Sequence, residues 1–177
     1  MGEVTSPTDV MLFNSILYAG LSPLDQTLSA LKKKYGDTIY ESEPLPFAYT
    51  SYYEQEMGSP IFRMIIAFSR LAPRDSLPDI KLHTNSIEDS LSHQGRRTVN
   101  IDPGLLSNEN VCLATTKPYS HRIYLRKGIW AEITLVYREK SYRKLEWTYP
   151  DYGSEELIQI FNKIRTLYRE RLQCQEV

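Results

Sequence analysis

Residues 100–132 read NIDPGLLSNENVCLATTKPYSHRIYLRKGIWAE, and the division of this stretch into strands and turns decides what the rest of the chain can build. Residues 98–101 (TVNI) have β character and run into Asp102-Pro103-Gly104. Proline fixes one dihedral there and glycine permits a positive one, so a turn is expected, with Asn100 and Asp102 at the mouth of a strand. Residues 107–114 (SNENVCLA) fit either a short helix capped by Ser107 or a strand through Val111 to Leu113, and periodicity does not separate the two. Residues 121–125 (HRIYL) are strand-like, Lys127-Gly128 is a turn signal, and residues 129–138 run back, making the best hairpin of the sequence.

A two-residue loop at Lys127-Gly128 places Leu125 opposite Trp130, Ile123 opposite Glu132 and His121 opposite Thr134. His121 and Glu132 then share one face, while Arg122 and Tyr124 lie on the other against Ile133 and Ala131. A histidine within reach of a carboxylate has a tunable proton affinity, so His121 and Glu132 are candidates for general acid or base work, or for ligating a metal. A longer loop would part them. An ordinary cross-strand polar pair is the competing structural reading. From Lys117 to Lys144 the chain also carries eight lysines and arginines against Glu132 and Glu139, interleaved with tyrosines and Trp130. Such a surface attracts anions, either a phosphorylated small molecule or a nucleic-acid backbone.

Outward from this stretch, Val10–Tyr18 (VMLFNSILY) suits a buried first strand. A helix follows, with Ser22 as cap, Pro23 at its first position, Leu24, Leu28, Leu31 and Tyr35 as its core face, and Gly36 as its stop. Thr38 to Tyr40 starts a second strand, and Pro44 and Pro46 point to an edge or extended loop. Residues 46–60 (PFAYTSYYEQEMGSP) read as an aromatic loop with a short helical turn. Residues 63–71 (RMIIAFSRL) form a strand internal to the sheet. Leu77–Leu91 is a helix whose polar side carries Lys81, His83, Asn85 and Glu88. Ser154 caps a last helix with an apolar stripe from Leu157 to Tyr168. The expected fold class is α+β, a mainly antiparallel mixed sheet with helices largely on one face. The specific expectation is a ferredoxin-like core with an added hairpin.

With 177 residues, 41% of them hydrophobic, and no repeat or linker, one domain over 1–177 is expected. The formal charge of −1 removes any global argument for a nucleic-acid coat or an anionic membrane. Cys112 and Cys174 have neither CxxC nor metal-ligand spacing, and a chain of this length needs no disulfide to fold, so a reducing, cytoplasmic setting is the default. No window is apolar enough to span a bilayer, and the first residues lack a secretory n-region.

The order of NIDPG, LATTK, SHRIYL with GIWAEITL, and WTYPDY, preceded by IKLHTN and YYEQEMG, resembles the bacterial family called domain of unknown function 4416 over nearly the whole chain. The resemblance implies no activity, cofactor or catalytic residue. Members are often labelled GTP-binding protein. The chain, however, has no GxxxxGK[ST] loop, and its one Asn-Lys, at Asn162-Lys163, continues into a helix, so a P-loop geometry is unsupported. The leading functional reading is a protein, with or without hydrolase or transferase activity, that binds a small anionic ligand. Lys117 and Arg122 would hold the anion, Asn100 and Asp102 would orient the ligand or a metal, and Lys81, Asn85 and Tyr124 would complete its contacts. A nucleic-acid platform and a protein-interaction module are the alternatives.

Overall fold

The computed structural model describes residues 2–175. Its strands are β1 (Val10–Tyr18), β2 (Thr38–Glu41), β3 (Leu45–Pro46), β4 (Phe62–Ala72), β5 (Val99–Leu106), β6 (Asn110–Thr115), β7 (Ile123–Arg126), β8 (Ile129–Arg138) and β9 (Ser141–Lys144). The helices are α1 (Leu21–Tyr35), α2 (Glu54–Met57), α3 (Leu77–Leu91) and α4 (Glu155–Gln175). All strands join one open sheet in the order β2-β4-β1-β5-β6-β8-β7, with β3 beside β4 and β9 beside β8. Every pairing is antiparallel. Among the described residues no helix is long and apolar enough to cross a membrane.

The succession β1-α1-β2-β4-α3-β5 with sheet order β2-β4-β1-β5 is the βαββαβ arrangement of a ferredoxin-like core. Residues 42–61, carrying β3 and α2, are inserted between β2 and β4, and β6 to β9 extend the sheet beyond β5. The chemistry of the central strands accounts for their place: β1 is buried at all nine positions, and β4 contributes Ile65, Ile66, Ala67 and Phe68 at 0% exposure. Alternation then divides the core. Val10, Leu12, Ile16 and Tyr18 of β1 face α1 and α3, while Met11 and Phe13 face Phe161, Ile164 and Tyr168 of α4. Two of the three long helices thus cover one face and α4 covers the other.

Several local expectations are corrected. Gly20, not Ser22, precedes α1, and Ser22 lies in its first turn, whereas Gly36 ends the helix with φ +88° and its N–H on the Lys32 carbonyl at 2.9 Å. Ser154 does cap α4, accepting the Leu157 N–H at 3.3 Å. Residues 107–114 resolve in favour of a strand, β6.

The main correction concerns Asp102-Pro103-Gly104, which is no turn but the middle of β5. Proline is tolerated there because β5 and β6 pair only across Gly104, Leu105 and Leu106, and diverge before residue 103. Alternate residues of a strand turn their peptide groups to the same edge, so Ile101 and Pro103 both face the gap. Pro103 has no N–H to leave unpaired. The Ile101 N–H is taken by Glu88 Oε1 at 2.6 Å, and its carbonyl by Lys81 Nζ at 3.0 Å. Two α3 side chains thus replace the absent strand. Gly104 marks the branch point, since a Cβ there would stand 2.3 Å from Phe13 Cζ and 2.8 Å from the Cys112 carbonyl oxygen.

This close approach predicts that Gly104→Ala lowers unfolding free energy by about 1–3 kcal/mol, the usual range for an overpacked core position. Urea denaturation measures it. An unchanged midpoint would mean that the branch tolerates a methyl group and that packing does not set it.

Candidate functional site

Where β5 and β6 part, a cavity of about 770 Å³ opens. Its floor is the α4-side face of the ferredoxin-like sheet, short of α4 itself. Strand register lays out that floor: Asn100, Leu17 and Arg63 stand side by side on β5, β1 and β4, with Asp102 and Ser15 in the next row. The diverging part of β6 contributes Leu113 to Thr115, and β8 contributes Glu132. Through the gap come Lys81, Asn85, Glu88 and Asp89 from α3. The inserted segment supplies Phe47, Tyr49, Tyr52 and Tyr53, and the loop before α4 supplies Tyr149 to Tyr152.

A chain of alternating charge follows the free edge of β5. Lys81 Nζ lies 3.4 Å from Asp102 Oδ1, and Asn100 Nδ2 donates to Asp102 Oδ2 at 2.8 Å. Arg97 Nη1 donates to Asn100 Oδ1 at 2.9 Å, and Arg97 Nε donates to Glu56 Oε2 at 2.6 Å, tying the inserted segment to the sheet. Glu88 also faces Arg97, at 3.9 Å. Burial raises the Glu88 carboxyl from an ordinary 4.5 to about 7, against the attraction of Lys81. It is therefore a proton-exchanging group near neutrality, lining a cavity.

Across the cavity, Glu132 is 2% exposed and its Oε2 accepts from Arg122 Nε at 2.8 Å and bonds His121 Nε2 at 3.0 Å. Arg122 further donates to the Lys117 carbonyl and the Tyr149 hydroxyl, both at 2.9 Å. The Lys127-Gly128 loop has two residues, both with positive φ. The register nevertheless departs from expectation: Leu125 is an extra residue bulged between Arg126, paired with Ile129, and Tyr124, paired with Trp130. Ile123 therefore faces Ala131, and Arg122, expected on the opposite face, joins Glu132. His121 still reaches Glu132, but from a turn before β7, stacked on Trp147 at 5.2 Å.

Among the residues singled out from sequence, Lys81, Asn85, Asn100, Asp102, Lys117, Arg122 and Glu132 all line this cavity. His121 touches Glu132 without lining it, and Tyr124 lies outside, 54% exposed and edge-on to Trp130. The basic surplus is dispersed. Arg126 and Lys127 both bind Asp79 at the start of α3, and Arg143 pairs with Glu139. Sequence reasoning missed Arg63 and Arg97. An arginine two positions before Ile65, in phase with the inward residues of a central strand, was the available signal for the first. Among the described residues no three His, Cys, Asp or Glu side chains converge as a metal-binding group.

Fold and cavity define an α+β protein with a ferredoxin-like core whose sheet splits at β5 to form a polar, aromatic-walled pocket. Residues 8–168 match the family described as Domain of unknown function (DUF4416), and the chain belongs to that family. No curated protein matches it.

Two outcomes follow from the buried charges. The folded state binds the Glu88 proton more tightly than the unfolded chain, so this group's stabilisation is complete below pH 4.5 and is lost as pH rises through 7. Glu88→Gln keeps an acceptor for the Ile101 N–H and carries no charge. Relative to wild type it gains stability across that window, by roughly 3 kcal/mol at most, which melting curves at stepped pH would record; parallel pH profiles would contradict the assignment. Glu132→Ala strands the buried Arg122 guanidinium and costs about 3–5 kcal/mol, whereas His121→Ala, at the margin of the pair, costs far less; equal melting points for the two variants would overturn this ordering.

Proposed function

We propose that the chain binds a small ligand that combines a planar ring with a single phosphate-type anionic group, a nucleoside monophosphate being the chemical type. The observation that carries this reading is the charge pairing around the cavity. Arg63, Lys81, Arg97, Lys117 and Arg122 stand against Asp89, Asp102, Glu132, Asp151 and the Glu88 carboxyl, which exchanges its proton near neutrality, so the lining carries no more than about one net positive charge. Arg63, Lys81, Arg97 and Arg122 each have a carboxylate partner. Lys117 forms no ion pair among the described residues, and its Nζ stands 6.0 Å from the ring centre of Tyr52. A nearly balanced lining with one free ammonium suits one anionic group rather than a triphosphate, whose charge would stay uncompensated in a partly desolvated site.

The aromatic side chains of Phe47, Tyr49, Tyr52, Tyr53 and Tyr149 offer stacking surface, and Asn85, Asn100 and Asp102 offer polar atoms for a ring edge or a ribose. The volume falls within the usual range for small-ligand sites. In this reading Glu132 anchors Arg122, and any proton transfer belongs to Glu88 rather than to the His121–Glu132 pair.

Thermal-shift and calorimetric titration with nucleoside mono- and triphosphates test the reading. Monophosphates are expected to bind more tightly. Lys117→Ala should weaken monophosphate binding roughly tenfold, the loss of one charged hydrogen bond, without lowering the melting temperature. Absence of binding by every such ligand sinks the proposal. Steeply salt-dependent capture of single-stranded RNA in its place would transfer the function to the basic, aromatic strands.

A further inference from the structure

Arg63 is 4% exposed, yet its Nε and Nη1 have no hydrogen-bond partner. Only Nη2 is engaged, with Asp151 Oδ2 at 2.5 Å. The guanidinium lies between two rings, with its centre 5.0 Å from those of Phe47 and Tyr152. Tyr152 is itself buried with its hydroxyl unpartnered. A buried guanidinium costs several hydrogen bonds to water, and one carboxylate restores only part of them. Stacked rings orient its plane without using its N–H groups. This cation is therefore fixed in place with donors in reserve, and it lines the cavity beside Leu17 and Asn100.

Resting on the small-ligand reading of the cavity, we propose that Arg63 receives the ligand's phosphate through its free Nε–H, while Asp151 bonds Nη2 and holds the guanidinium in plane. Asp151 is well placed for this. Its second oxygen, Oδ1, accepts the Tyr152 N–H at 2.9 Å, so the carboxylate is held from both sides and does not swing onto the remaining donors. Phe47 belongs to the inserted segment, which is tied down by its own N–H on the Ile61 carbonyl and by the Glu56–Arg97 ion pair. Lys117, beside Tyr52, is then the second cation for the same phosphate.

The Arg63 Nε–H resonance of the ¹⁵N-labelled full chain reports this directly during titration with AMP, inorganic phosphate and adenosine. AMP and phosphate are expected to shift it, and adenosine, which has no anion, to leave it in place. Arg63→Lys keeps a cation for Asp151 but loses the Nε donor. It should bind AMP about tenfold or more weakly, as expected for a charged hydrogen bond, with adenosine binding unchanged. An Nε–H signal unmoved at saturating AMP, or full AMP affinity in Arg63→Lys, overturns the role of Arg63 and leaves the cavity reading standing. Wild-type protein that binds none of the three overturns both.

Discussion

The structure turns on one peptide unit, that of Ile101, whose N–H and carbonyl face a gap where a neighbouring strand would normally lie. An unpaired peptide at a buried edge costs as much as a lost hydrogen bond at each end. Glu88 and Lys81, seven residues apart and so on one face of α3, meet those two demands. Because they do, β6 is free to leave β5 after Gly104, and the sheet stays continuous on one side of the branch while opening a cavity on the other. The same two side chains then bring a carboxyl held near neutrality and an ammonium to the cavity wall. Fold and site are consequences of one substitution of side chains for backbone.

The ferredoxin-like half was legible because it obeys periodicity. Apolar runs gave β1 and β4, helical spacing gave α1, α3 and α4, and their order limits the topology. The branch was not legible, for a definite reason. Asp-Pro-Gly signals a turn because proline lacks an N–H and glycine bends freely, but both properties also suit a strand whose neighbour is leaving it. Local sequence cannot tell these situations apart, since the difference lies in whether β6 is there to be paired. Likewise the bulge at Leu125 has no signature of its own, and it carried Arg122 to the face of Glu132 against the expected register.

Most of the expected cavity residues converge even though the geometric arguments for them did not all hold. Asn100 and Asp102 were chosen as turn residues at a strand mouth; they reach the cavity as neighbours on an unpaired strand edge. Lys81 and Asn85 were chosen as the polar side of a helix, and that side is turned toward the gap. Tyr124 moved with Arg122 to the face of Glu132 when the register shifted, but it stands opposite Trp130 at the hairpin end, outside the cavity.

A last step concerns why so polar a pocket is compatible with folding. Each cation on its walls, apart from the exposed Lys117, is offset by a carboxylate reached from a different element: Arg63 of β4 by Asp151 before α4, Lys81 of α3 by Asp102 of β5, Arg97 by Glu56 of the insertion, Arg122 by Glu132 of β8. In the two fully buried pairs, Arg63–Asp151 and Arg122–Glu132, removing either partner leaves a desolvated charge, so each holds two elements in register more firmly than its net energy suggests. The pairs stand around the cavity rim and floor, where the ferredoxin-like core, the insertion, the extension and the α4 loop meet. The cavity is therefore the place where the parts of the chain are joined by charge, and a ligand entering it meets groups already fixed in direction by folding.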